Sequence, residues 1–356
     1  MTADELRLAD FRPRSRLRVA AHGVPRPAVP AIDAHNHLGA AFGGAWASRP
    51  PDELLPILDE AGVEAIVDLD GGWGEALVAE IERWQRPHPD RIAVFAGLDY
   101  ERWAEDERFG ETEARRLEAA ALAGARGLKV WKVLGLRARD TVGRLVAVDD
   151  ARLDPLWAAA ARLALPVVIH VADPVAFFES LDPTNEHWEE LHAHPDWHFW
   201  PTRPPGRPDL PGFPPFDELL EGLRRVLLRH PVTTFIGAHV GCAAEDLAWV
   251  GATLEACPNF HVDIAARLGE LGRQPYTARA FFERYADRVL FGVDVEPDPE
   301  VYRRYYRFLE TRDESFDYDA DEVPGQGRWQ IHGIGLPEDV LRRVYRDNAR
   351  RLIFER

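Results

Sequence analysis

The stretch A-I-D-A-H-N-H-L at residues 31–38 carries an aspartate and two histidines at alternate positions, Asp33, His35 and His37. Side chains alternate along a strand, so the spacing predicts that all three project to one side, with Ile32, Ala34 and Asn36 on the other. Other apolar runs end on residues of the same kind: His170 in P-V-V-I-H, His239 in T-T-F-I-G-A-H and Asp294 in R-V-L-F-G-V-D. Imidazoles and a carboxylate ligate zinc-like divalent ions, and three or four protein ligands that leave a position for water make a catalytic site. In a chain with 13 histidines an H-x-H pair alone means little. A second pair, His192 and His194, sits in a charged, proline-flanked stretch and reads as solvated surface. His261, within N-F-H-V-D-I, reads as a packed residue or one behind the ligands, and Asp263 either orients a ligand or caps the following turn.

Spreading such residues over the chain works only if a fold gathers them. Eight short apolar, β-branched runs recur, at 29–35, 64–69, 91–97, 127–131, 166–170, 233–239, 259–264 and 288–294. Between them lie segments with apolar spacing of three or four, several ending near glycine, as helices do. Eight alternations of strand and helix predict an α/β fold, a (β/α)8 TIM barrel whose strand C-termini meet at one rim. A doubly wound sheet is disfavoured because A-H-N-H-L-G stands where its glycine-rich phosphate turn belongs. Residues 1–29 read as an N-terminal extension packing on a barrel of residues 30–356. Segments of about 172–216 and 296–336 exceed ordinary loops, and their aromatic content predicts ordered insertions forming a lid over the mouth.

Composition narrows the function. With 43 basic against 60 acidic residues among 356, a formal charge of −17 argues against nucleic acid and anionic membrane surfaces as partners. No apolar run is long enough to span a bilayer, and the first ten residues lack the core of a signal peptide, so a cytoplasmic enzyme is expected. Cys242 and Cys257 suit a reducing compartment and form no C-x-x-C zinc pair.

D-A-H-N-H, the strand-five I-H, G-A-H-V-G and F-G-V-D together resemble the metal-dependent amidohydrolase superfamily, in particular its amidohydrolase-2 branch, which contains aminocarboxymuconate semialdehyde decarboxylase. The resemblance runs from Ile32 to the closing V-Y-R-D-N-A-R-R-L. It implies that His35, His37, His170 and Asp294 hold one divalent ion, zinc in the first instance and manganese as the alternative, and that His239 stands beside the water this ion activates. It also implies a small-molecule substrate and a homodimer. Lys129, in G-L-K-V-W, falls where binuclear members carry a carboxylated lysine bridging two ions. A substrate contact and a structural ion pair are its other readings, and Lys132 has the opposite parity.

Hydrolysis of an amide or lactone of a small organic acid is the leading expectation, with Asp294 and His239 as catalytic residues. The same constellation serves non-oxidative decarboxylation, which needs a cation and an aromatic wall for a planar acid. Arg267, after strand seven, fits the first need, and Trp73, Trp46 and Trp200 are candidates for the second. A metal-stabilised binding protein without turnover is the reading from outside enzymology.

Overall fold

The computed structural model describes residues 6–7, 10–11, 13–200, 212–321 and 324–355. All eight expected strands form: β1 Ala31–Asn36, β2 Val63–Asp68, β3 Ile92–Val94, β4 Leu128–Val130, β5 Val167–Ile169, β6 Phe235–Gly237, β7 Phe260–Asp263 and β8 Val289–Leu290. They pair in parallel as β1-β2-β3 and β4-β5-β6-β7-β8. Backbone hydrogen bonds cross both gaps. Arg126 N donates to Val94 O (2.9 Å) and Lys129 N to Ala96 O (2.7 Å) on one side, and Ala34 N to Phe291 O and Asp294 N to His35 O (both 2.9 Å) on the other. The ring of a TIM barrel is thereby closed.

The register Lys129↔Val168, Val168↔Ile236 and Ile236↔His261 puts these four side chains on the inner face. Ile32, Ala34, Ala65, Val67, Ala93, Val168, Ile236 and Leu290 fill that interior, and Ala349, Leu352 and Ile353 of the C-terminal segment extend the same cluster. The alternate residues, such as Leu128, Val130, Val167 and Ile169, face outward against helices. Those helices start and stop on local signals. Pro51–Ala61 has proline at its first position, Asp52 and Glu53 in its first turn, and Gly62 at φ 75° to end it. Pro299–Glu310 is capped by the Asp298 carboxylate, which accepts from Glu300 N at 2.7 Å.

One expectation about the first strand needs correction. Its pairing with β2 is irregular between Asp33 and Asn36, so strict alternation fails there. Asp33 faces outward, accepting from Tyr302 Oη (2.8 Å) and Asn36 Nδ2 (2.8 Å), while His35 turns inward.

The insertions pack on each other. Arg328 holds Glu189 through two nitrogens (2.7 and 2.8 Å), and His187 meets the Trp329 ring at 5.1 Å. Residues 201–211 of the expected first insertion lie outside the described residues. From the extension, Ala28 N donates to Glu310 Oε1 (3.0 Å) and His22 N to Asp313 Oδ2 (2.7 Å). Among the described residues no helix is long and apolar enough to cross a membrane.

Candidate metal centre

Three imidazoles are held in one tautomer by what their Nδ1 atoms touch. His35 Nδ1 lies 2.8 Å from Asp263 Oδ2, His37 Nδ1 lies 2.7 Å from Asp70 Oδ1, and His239 Nδ1 donates to Ala265 O at 2.9 Å. Each partner takes a proton on Nδ1, so that the neutral ring presents its lone pair on Nε2, the usual arrangement of histidine ligands. These Nε2 atoms converge on Asp294: 3.0 Å from His37 and 3.6 Å from His35 to Oδ1, and 3.6 Å from His239 to Oδ2. An ion about 2.1 Å from each donor in a tetrahedron would separate the donors by about 3.4 Å, so the spacing fits one. Asp294 Oδ1 is cut off from solvent, and its nearest neighbours are these imidazole nitrogens, donors of the kind that share a divalent ion with a carboxylate.

Asp263 settles its own two readings. Its Oδ2 serves His35 while Oδ1 accepts from His239 N (3.0 Å) and Ala265 N (3.1 Å), so one carboxylate orients two histidines. The second of these is placed by an unusual turn after β6, where His239, Val240 and Cys242 all have left-handed backbone, φ 57°, 60° and 64°. Asp294 is likewise left-handed at φ 55°. Non-glycine residues in that region concentrate at functional sites.

His170 stands beside this group rather than within it. Its ring lies 4.5 Å from that of His239, and its Nε2 faces Asp173 Oδ1 (3.3 Å) and Ala172 O (3.1 Å), which leaves Nδ1 as the nitrogen available to an ion. Burial pushes its pKa down to about 4, so it is neutral, as a ligand must be. Burial and the neighbouring His170 and Arg267 hold His239 well below its ordinary value too. His37 goes the other way. Burial opposes its charge, but Asp294 and Asp70 outweigh that and raise it to about 9. Burial likewise opposes ionisation of Asp294, yet His35 and His37 keep its carboxyl well below the usual range.

Lys129 points inward and Lys132 does not. Lys129 Nζ is fully buried, 3.1 Å from His35 Nε2 and 4.9 Å above the Trp131 ring, and burial draws its pKa down. An ammonium and a metal ion would compete for the same His35 lone pair, so with an ion bound Lys129 is neutral, carboxylated or turned aside. Lys132 pairs with Asp173. Arg267 is buried, its Nη1 donating to Ala266 O at 2.7 Å, and the charges of Glu270, Glu245 and Asp173 surround it.

The tryptophans fall differently from the expectation. Trp46 packs against Trp84 at 6.4 Å, Trp200 against His198 at 4.5 Å, and Trp73 lines a cavity among Leu77, Leu98, Leu117 and Ala120 whose lining includes no histidine. The aromatic ring at the centre is Trp131, 4.9 Å from His37. It, Asp70 and Asp173 were not singled out from the sequence. Asp70 had a readable signal, the D-L-D that ends the second apolar run. His192 and His194 lie on the surface against Trp188 and Trp197, as expected.

No curated protein matches the chain. Among solved structures, a 2,6-dihydroxybenzoate decarboxylase complexed with 2,6-dihydroxybenzoate is 16% identical with a TM-score of 0.55, over 91% of this chain and 99% of that one. A dihydroxybenzoic acid decarboxylase from Polaromonas, with bound manganese and 2-nitroresorcinol, is 15% identical with a TM-score of 0.54, over 91% and 96%. A 5-carboxyvanillate decarboxylase from Sphingomonas paucimobilis is 14% identical with a TM-score of 0.52, over 92% and 99%. Likeness at such identity establishes the shared barrel. The family model for amidohydrolases of the amidohydrolase-2 type matches residues 32–354. The chain therefore belongs to the amidohydrolase-2 family of metal-dependent barrel enzymes, whose members are hydrolases or decarboxylases.

Proposed function

We propose that this protein is a metal-dependent hydrolase that opens a C–N or C–O bond, an amide or a lactone, in a small organic acid. The observation that carries the reading is the convergence of three imidazole Nε2 atoms on one carboxylate, Asp294. His35, His37 and Asp294 would hold one divalent ion, with His170 contributing through Nδ1. Zinc suits such nitrogen and oxygen donors, with manganese as the alternative. An ion held there supplies a water of pKa about 7 and polarises a carbonyl. Asp294 accepts the proton released as water attacks. His239, its Nε2 3.6 Å from Asp294 Oδ2, takes up that proton and, once protonated, stabilises the developing oxyanion or passes the proton to the leaving group. Asp263 and Asp70 keep the histidines in the tautomer that binds metal. Two buried cysteines without a disulfide suit a cytoplasmic enzyme.

Decarboxylation is the second reading, favoured by a buried cation beside His239, Arg267, in a chain of formal charge −17. It would draw an anionic substrate inward, and His239, neutral at rest, would take a proton from water on Nε2 and pass it to the carbon that loses carbon dioxide. The test is metal analysis of chelator-treated and reconstituted protein, followed by amides, lactones and aromatic acids as substrates. Metal-dependent appearance of a new carboxylate supports the first reading and release of carbon dioxide the second. A protein that binds no divalent ion overturns both.

A further inference from the structure

We propose that Arg304 is the carboxylate-binding residue of the substrate pocket, and that the substrate carries a carboxylate remote from the bond that reacts. The inference rests on the functional reading above and adds the class of substrate. A cavity of about 250 Å³ is lined by Ala266, Val295, Tyr305, Tyr318, Gln326 and Arg304, among others. Val295 follows Asp294 directly, and Ala266 lies just past the end of β7, so the cavity begins at the rim that carries the metal centre. The Tyr305 hydroxyl ties that rim together, accepting from Ala266 N (2.9 Å) and donating to Val293 O (3.3 Å).

The polar groups of the wall are satisfied, with one exception. Tyr318 Oη donates to Gly327 O at 2.7 Å, Gln326 Nε2 donates to Ala266 O at 3.2 Å, and Asp319 accepts from Asp321 N (3.2 Å) and Gly325 N (2.9 Å). Arg304, half-buried in the same wall, makes no ion pair and no side-chain hydrogen bond among the described residues. Its neighbours on the helix are engaged: Arg303 with Glu60 and Glu300, and Arg307 with Asp313. A guanidinium offers five donors in a plane, and its natural complement is a carboxylate bound by two of them. Apolar walls from Leu268, Val295 and Val301 leave room for the body of a flat acid beside that contact. Arg267, the cation expected from sequence to hold the acid, is buried, spends Nη1 on Ala266 O (2.7 Å), and is not among the residues lining this cavity. Arg304 is the arginine that lines it, with its donors uncommitted among the described residues.

The test uses the metal-reconstituted protein and two probes of the same shape, 3-carbamoylbenzoate and isophthalamide, of which only the first carries a carboxylate. Binding is followed by calorimetry for wild type, Arg304→Gln and Arg304→Lys, with metal content measured alongside. Wild type is expected to prefer 3-carbamoylbenzoate by roughly tenfold or more, the worth of one charge-assisted pair. The preference falls to within about twofold in Arg304→Gln and returns in part in Arg304→Lys, at unchanged metal content. A wild type that does not distinguish the probes, or an Arg304→Gln that still does, overturns the proposal. Because Arg304 touches none of the metal ligands, the preference persists in chelator-treated protein. Loss of turnover across the substrate panel with the preference intact would therefore refute the hydrolase reading alone, and turnover without the preference would refute the subsite alone.

Discussion

Asp263→Asn is the most informative single change, because one carboxylate receives three hydrogen bonds. Oδ2 takes His35 Nδ1 at 2.8 Å, and Oδ1 takes His239 N at 3.0 Å and Ala265 N at 3.1 Å. An asparagine of the same shape has one acceptor oxygen and an NH2 group that accepts nothing. If the amide oxygen keeps the two backbone donors, NH2 faces His35 Nδ1, which must then lose its proton and carry it on Nε2, where the ion should sit. If the oxygen faces His35 instead, NH2 meets two N–H groups and the turn that aims His239 is displaced. Either way a ligand-orienting contact is lost, which typically weakens metal affinity 10- to 100-fold, about 1.4 to 2.7 kcal/mol. Competition with a fluorescent chelator measures that affinity directly, and circular dichroism checks that the barrel is intact. An affinity within about twofold of wild type would show that Asp263 does not fix the His35 tautomer.

His239→Ala is expected to keep most of its metal while losing on the order of 10² to 10⁴ in kcat, the worth of a positioned acid or base, whereas His35→Ala loses the metal itself. Equal metal loss in both variants would make His239 a ligand. Lys129→Ala separates the readings of that residue by stoichiometry: a carboxylated bridge gives two ions per chain in wild type and one in the variant, and one ion in both leaves substrate contact or ion pairing. His261 carries a pH prediction. Burial, helped by Arg288 and Arg351, pushes its folded pKa down to about 3 from 6.5, so the unfolded chain alone takes up a proton in that window and stability falls as pH drops below about 6.5. In metal-free protein His261→Gln should lose about 2 kcal/mol less than wild type between pH 7 and pH 5 by urea unfolding, and parallel losses would refute the assignment.

The ends of the strands were legible because each apolar run stops at the residue that enters the site, so His35, His37, His170, His239 and Asp294 could be read off their boundaries. The partners of those residues were not. Asp70 and Asp173 act from neighbouring loops, and no spacing in a single sequence tells which histidine a loop carboxylate will reach. Asp33 was placed on the wrong face because an irregular strand breaks the two-residue period without any glycine or proline to announce it. The tryptophans illustrate the same limit. Residue type suggests an aromatic wall, but only packing decides that Trp131 meets His37 while Trp46 is spent on Trp84. Arg304 was hidden in Y-R-R-Y-Y-R-F-L-E, where three arginines look alike until the ion pairs of two of them are seen.

The left-handed turn after β6 also bears on how the enzyme is made. A β-branched residue such as Val240 at φ 60° costs on the order of 1–3 kcal/mol, and the contact that holds the turn comes from Asp263, on a strand the ribosome has not yet delivered when β6 emerges. A nascent chain that has completed six strands can pair them, but it has nothing to keep His239 aimed. The catalytic centre is thus one of the last things synthesis completes, and a stalled or truncated product bears the histidines of the site without its reactivity.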